Sequence, residues 1–128
     1  MSKKVALVGH CGPDSSYLRM AVSKAFRDAK VVAADDDSEL KQLLADGVDL
    51  LLFNRILDYG FRSDEGVDVI RELRAEYPNL KMMLVSNYED AQEAAVQAGA
   101  LPGFGKREIG TPRVSQVLRD ALGVTQSV

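Results

Sequence analysis

The chemistry of this chain turns on Asn54, which closes the run Val48-Asp49-Leu50-Leu51-Leu52-Phe53. From Leu50 to Phe53 it is continuously apolar, the pattern of a strand buried on both faces. An open parallel α/β sheet collects its functional groups at the carboxyl ends of such strands. A carboxylate at that point would bind Mg²⁺ or accept a phosphoryl group. An amide carries no charge and is a poor nucleophile. Gly9 and His10 follow a first apolar run, Lys4-Val5-Ala6-Leu7-Val8. Ser86 follows Lys81-Met82-Met83-Leu84-Val85, and Lys106 follows Gly103-Phe104-Gly105. Ser86 and Lys106 offer a hydroxyl and an ammonium to an anion. Ser86 has a plainer use as a hydroxyl capping the turn through Asn87.

Two readings stand for Asn54. It is a locked mimic of a signalling or uncharged state, or it has drifted in a site no longer used. Under either, a buried amide must find hydrogen-bond partners. Lys106 lies near a second cation, Arg55, and a partly buried ammonium needs a counter-charge or loses its proton. Asp58 or Asp14 would supply a carboxylate from the adjoining loops, and an anion is the other source. The internal carboxylate is expected, because buried charges are paired within the protein.

His10 and Cys11 are the only histidine and the only cysteine. Consecutive residues of an extended chain point opposite ways, so a Cys–His dyad is not expected. No second thiolate or imidazole is present to complete a metal cluster. A structural role is expected for both. Asp35-Asp36-Asp37 would attract a cation, but carboxylates also favour a helix N-terminus, and that is the expected role. The loop Ile56-Leu57-Asp58-Tyr59-Gly60-Phe61-Arg62 mixes aromatics with charges. Arg55, Asp58, Tyr59 and Phe61 there form either a contact surface or a cover folded over the strand ends.

The elements that position these residues alternate in period. After the first strand, Gly12-Pro13-Asp14-Ser15-Ser16 offers a helix start. Leu18, Ala21, Val22, Ala25 and Phe26 follow at helical spacing. Val31-Val32-Ala33-Ala34 reads as a second strand. Asp35-Asp36-Asp37-Ser38 caps a helix carrying Leu40, Leu43 and Leu44 and ending at Gly47. Beyond the third strand and a loop over 54–65, Val67, Ile70, Leu73 and Tyr77 mark a helix closed before Pro78. The fourth strand is 81–85. Asn87 or Asp90 caps the next helix, which carries Ala91, Ala94, Ala95 and Ala98. A short strand is expected near Gly103 to Gly105. Thr111-Pro112 then opens a last helix with Val114, Val117, Leu118 and Leu122. Five β-α units imply a parallel sheet covered by helices on both faces, of the flavodoxin-like doubly wound α/β class. One domain over 1–124 and a tail over 125–128 are expected.

Several local sequences resemble response-regulator receiver domains, and the resemblance spans essentially the whole chain. Asp49-Leu50-Leu51-Leu52-Phe53-Asn54 is similar to that family's third strand. Val85-Ser86 is similar to the fourth strand with its switch Ser or Thr. Ala98-Gly99-Ala100 followed by Lys106 matches the spacing of its fifth strand and lysine. The resemblance implies sheet order 2-1-3-4-5. It also implies a pocket in which two acidic residues and an acceptor Asp hold Mg²⁺ while the hydroxyl and the lysine bind the phosphoryl oxygens. Here Ser86 and Lys106 match. Asn54 replaces the acceptor, and Gly9 and His10 stand where the acidic pair belongs. The loop after Asn54 is lengthened, Gly103 stands where an aromatic is usual, and Arg107 replaces a proline. The chain therefore resembles a degenerate receiver, a pseudo-receiver.

The expectation is a phosphorylation-independent signalling module in a two-component-type pathway. It has no catalytic residue, cofactor or resident metal, and it binds a protein partner or a second copy through the helix 4, strand 5, helix 5 face. Small-ligand or anion sensing and unconventional phosphate acceptance by His10 or Asp58 are the alternatives. The 128 residues suit one domain. A formal charge of −3 and a pI near 5.1 argue against general nucleic-acid binding. No apolar stretch reaches membrane-spanning length, and the apolar run after Lys4 is too short for a secretory signal. The cytoplasm is the expected compartment.

Overall fold

Continuous apolar runs form the strands, and apolar positions spaced by three and four form the helices that cover them. The computed structural model describes residues 3–57 and 60–123. The elements in chain order are β1 (Lys4–Val8), α1 (Gly12–Ala25), β2 (Lys30–Ala34), α2 (Asp37–Asp46), β3 (Leu50–Asn54), α3 (Gly66–Glu76), β4 (Met82–Val85), α4 (Glu89–Ala98), β5 (Leu101–Phe104) and α5 (Pro112–Leu122). A 3₁₀ turn, Lys106–Glu108, precedes α5. All strand pairs are parallel, in the order β2-β1-β3-β4-β5. This is the flavodoxin-like arrangement expected from the sequence.

Strand alternation divides the core into two layers. On one face Val5, Leu7, Leu50, Leu52 and Val85 pack with Leu18 and Val22 of α1 and Val114 and Leu118 of α5. On the other, Ala6, Val8, Leu51, Phe53 and Leu84 pack with Leu40 of α2, Ile70 and Leu73 of α3 and Ala95 of α4. Leu50, Leu51, Leu52 and Phe53 are wholly buried. Each such side chain contributes about 1.5–3 kcal/mol, so β3 is held firmly and its last residue is placed firmly with it.

Some local expectations are corrected. β5 runs Leu101–Phe104 rather than 103–105. Pro102 is tolerated because β5 is an edge strand, where a missing amide hydrogen breaks no ladder bond. The cap of α4 is Tyr88, not Asn87 or Asp90. Asn87 instead accepts the Arg107 amide at 3.0 Å, and Asp90 bonds the Ala91 amide. On α3, Val69 is wholly buried while Val67 is half-buried, and Tyr77 lies past the helix end, exposed. The acidic run after β2 does cap α2: Asp36 accepts the Glu39 amide at 2.8 Å, and Glu39 accepts the Asp35 amide at 2.8 Å. The tail 125–128 lies outside the described residues.

Candidate functional site

The carboxyl ends of β1, β3, β4 and β5 converge on Asn54. Its side-chain Nδ2 donates to Gly9 O at 3.1 Å and to Ile56 O at 3.0 Å. The amide therefore ties the end of β1 to the loop leaving β3. Two carbonyl acceptors fix its orientation, because only the NH₂ end can meet both.

Gly9 has φ +73°, a left-handed conformation that glycine adopts without cost. A Cβ placed there would lie 2.4 Å from Leu57 Cδ2 and 3.7 Å from the Phe61 ring. Leu57 is buried at 2% exposure, and Phe61 is half-buried against the β1–β3 core layer. The loop after β3 thus lays apolar side chains over the end of β1. Its backbone is pinned by Leu57 N to Asp64 O and by Asp37 N to Gly60 O, both 2.7 Å. Arg62 reaches Asp37, Glu72 and Glu76 at 3.5–3.8 Å. Asp58 and Tyr59, also expected in this loop, lie outside the described residues.

His10 is buried at 8% exposure. Its Nε2 donates to Leu52 O at 2.8 Å, while Nδ1 is closed to solvent and has no partner among the described residues. Burial lowers its pKa below the ordinary value and outweighs the Leu52 carbonyl, which pulls the other way. Lys106 adds to the lowering, and Asp14 and Asp35 oppose it. The ring is thus neutral with its proton on Nε2. It presents no accessible nitrogen for phosphoryl transfer. Cys11, by contrast, is exposed and stands at the N-cap position of α1 without a side-chain cap bond.

Lys106 Nζ lies 2.8 Å from Asp14 Oδ2. Of the two carboxylates that the sequence nominated, Asp14 takes the lysine. The Lys106 hydrogen bond holds the Asp14 carboxyl below its ordinary pKa, with a smaller contribution from the Cys11 thiol. Ser86 is buried, and its Oγ accepts the Tyr88 amide at 3.2 Å. Both potential anion ligands therefore already have internal partners. Arg55 stacks over the Tyr88 ring with 4.7 Å to the centroid.

Two clefts flank Asn54. One, of about 380 Å³, is lined by Gly9, His10, Cys11, Asp35, Ile56 and Phe61. The other, of about 240 Å³, is lined by Arg55, Ile56, Ser86, Asn87, Tyr88 and Lys106. Mg²⁺ demands an octahedral set of oxygens with at least one carboxylate. Gly9 has no side chain, His10 offers a buried nitrogen and Asn54 has only an amide oxygen, which leaves Asp35 as the one carboxylate in the lining of the first cleft. Among the described residues, no group of three or more His, Cys, Asp or Glu converges on a metal position. The ends of β1 and β3 supply this ion no carboxylate, and one from Asp35 falls short of the three-carboxylate set that the receiver resemblance implies.

The structure brings Asn54, Gly9, His10, Ser86, Lys106, Arg55 and Phe61 to one edge of the sheet. Sequence reasoning missed Leu57, whose contact with Gly9 spans almost fifty residues and leaves no local signal. It also missed Gln92, whose side-chain amide bonds carbonyls at the ends of β4 and β5.

Against known structures, the chain superposes on a putative response regulator from Chloroflexus aurantiacus with TM-score 0.77 and 16% identity, covering 96% of this chain and 99% of that one. A signal receiver domain of a DNA-binding response regulator from Colwellia psychrerythraea gives 0.73 at 13% identity, covering 94% and 98%. The receiver domain of NtrX from Brucella abortus gives 0.66 at 22% identity, covering 94% and 99%. The fold is that of response-regulator receiver domains. No protein-family model and no curated protein sequence matches the chain.

Proposed function

We propose that this chain is a receiver-like signalling module that works by protein contact and without phosphoryl transfer, in a two-component-type pathway of the cytoplasm. The observation that carries the reading is the apolar cover at the end of β1. Leu57 lies against Gly9, where a working pocket needs a carboxylate and its metal. The amide of Asn54 is held by two carbonyls and Lys106 by Asp14, so neither side chain is left open. Binding through α4, β5 and α5 follows by analogy with the fold. The chain is incubated with acetyl phosphate and Mg²⁺ and its intact mass is measured. No phosphorylated species is expected, and a stable, Mg²⁺-dependent mass gain of one phosphoryl group overturns the reading.

A second reading, small-ligand sensing, draws on the 380 Å³ cleft that His10 lines, its Nδ1 having no partner among the described residues. It has less support as anion sensing, because Lys106 and Ser86 are already bonded. Acetate, inorganic phosphate and small amines titrated into ¹⁵N-labelled protein test it. Saturable shifts confined to residues lining that cleft support it, and their absence removes it.

A further inference from the structure

β4 and β5 pair out of step. Met83 faces Leu101 and Val85 faces Phe104, so β5 carries one more residue than β4 between the two pairs. A bulge of this kind leaves backbone groups without ladder partners, and buried backbone groups need them. Phe104 O keeps the Ser86 amide at 3.0 Å, and a single side chain from the first turn of α4 bonds the groups around the bulge. Gln92 Nε2 lies 2.9 Å from Leu84 O, 3.0 Å from Ser86 O and 3.2 Å from Phe104 O. Its Oε1 accepts the Gly103 amide at 3.3 Å. Two N–H hydrogens serve three carbonyls, so one bond is shared.

The backbone is shaped around this side chain. A Cβ at Gly103 would lie 2.1 Å from Leu84 O and 3.0 Å from Gln92 Oε1, so no other residue fits there. A Cβ at Gly105 would lie 2.4 Å from Asn87 Oδ1, the atom that accepts the Arg107 amide. The loops after β4 and β5 are thus tied at two points, and both ties require a glycine beside them.

We propose that Gln92 is a hydrogen-bond staple that fixes α4 to the β4–β5 edge, holds the α4–β5–α5 face in one conformation and closes β5 to strand addition. β5 is an edge strand, and edges are open to added strands unless blunted. Pro102 has no amide hydrogen, and that of Gly103 is bonded inward to Gln92. The two central positions of β5 therefore offer an incoming strand no donor. A groove of about 870 Å³ between α4 and β5–α5, with Gln92 and Gly103 in its lining and Glu93, Val96, Arg107 and Arg113 around it, is the surface that the staple shapes. The significance for signalling rests on the function proposed above, since a module without phosphoryl transfer must present its face unswitched. The bonds themselves do not depend on it.

Amide hydrogen exchange and relaxation dispersion on the wild type and on Gln92→Met test the staple. Methionine keeps the length and removes the amide. In the wild type the Gly103 amide is expected to be protected and the β4, α4 and β5 amides free of millisecond exchange. In Gln92→Met the Gly103 amide should exchange at least about tenfold faster, a local loss of roughly 1.4 kcal/mol. Dispersion should appear in β5 and the first turn of α4, while β1 amides stay unchanged. Equal Gly103 exchange in a folded Gln92→Met variant overturns the proposal. Should that variant fail to fold, the wild type decides: a Gly103 amide exchanging as fast as a solvated one overturns it, and a protected one with no dispersion supports it. Phosphorylation of the wild type would end the functional reading and leave the staple standing; a labile Gly103 amide would do the reverse.

Discussion

Replacing Asn54 by Asp changes one atom group at the centre of the strand ends and reverses its hydrogen-bonding sense. Nδ2 now donates to Gly9 O and Ile56 O at 3.1 and 3.0 Å. A carboxylate oxygen in the same place donates nothing and faces two carbonyl oxygens. Each lost bond costs about 0.5–1.5 kcal/mol, so Asn54→Asp should lose about 1–3 kcal/mol at pH 7. Lys106 lines the same cleft, but it is already bonded to Asp14 and offers only partial relief. With a urea slope of about 2 kcal/mol/M, the unfolding midpoint should fall by about 1 M. The facing carbonyls favour the protonated acid, which can donate one bond, and so raise its folded pKa above the unfolded value. Folded protein then binds the proton more tightly, and the deficit relative to the wild type should shrink as pH falls through that raised pKa. Asn54→Leu, which loses the same bonds without adding charge, should show no such recovery. Urea unfolding at pH 7 and pH 5 for the three proteins is the assay. A midpoint of Asn54→Asp equal to the wild type at pH 7 refutes the clip assigned to Asn54. Robust Mg²⁺-dependent labelling of that variant by acetyl phosphate refutes the misfit of the pocket to the metal.

Gly9→Ala places a methyl 2.4 Å from Leu57 Cδ2 on a backbone at φ +73°, and should cost about 1–3 kcal/mol in urea unfolding. In the Leu57→Ala background the penalty should shrink, and strict additivity of the two would show that they do not touch. His10 is held neutral by burial. Its folded pKa lies below its unfolded value, so its stabilisation is complete above about pH 6.5 and declines as pH falls toward the folded pKa. As the only histidine, its ring signal in NMR should titrate below that point, and a midpoint at or above it would contradict the buried neutral ring. Asp14→Asn removes the Lys106 partner and should cost about 1 kcal/mol at pH 7, solvent screening included. The wild-type contribution is present above the ordinary carboxylate pKa and lost as pH falls through the lowered one. The variant should lack that segment of the acid-unfolding profile.

Much of this protein was legible in one dimension. Apolar periodicity placed β1, β3 and β4, because strands buried on both faces need unbroken runs such as Leu50 to Phe53. It also placed the helices, whose buried stripes recur at three and four. The same runs end at Gly9, Asn54, Ser86 and Lys106, so a parallel sheet had to gather these residues at one edge, and their types already spoke against a three-carboxylate metal site. What the sequence left open were partners. Whether Asp14 or Asp58 would meet Lys106 depended on the docking of α1 against the β5 end, and Asp14 lies 2.8 Å away. Leu57 reads as an ordinary loop residue until the fold lays it on Gly9. Gln92 reads as an ordinary helix-surface amide until the fold sets it beside the carbonyls around the bulge in β5. Burial and secondary structure follow from nearest-neighbour patterns in the chain. Hydrogen-bond partners follow from ångström-scale geometry between segments far apart in it, and that geometry exists only once the sheet is assembled.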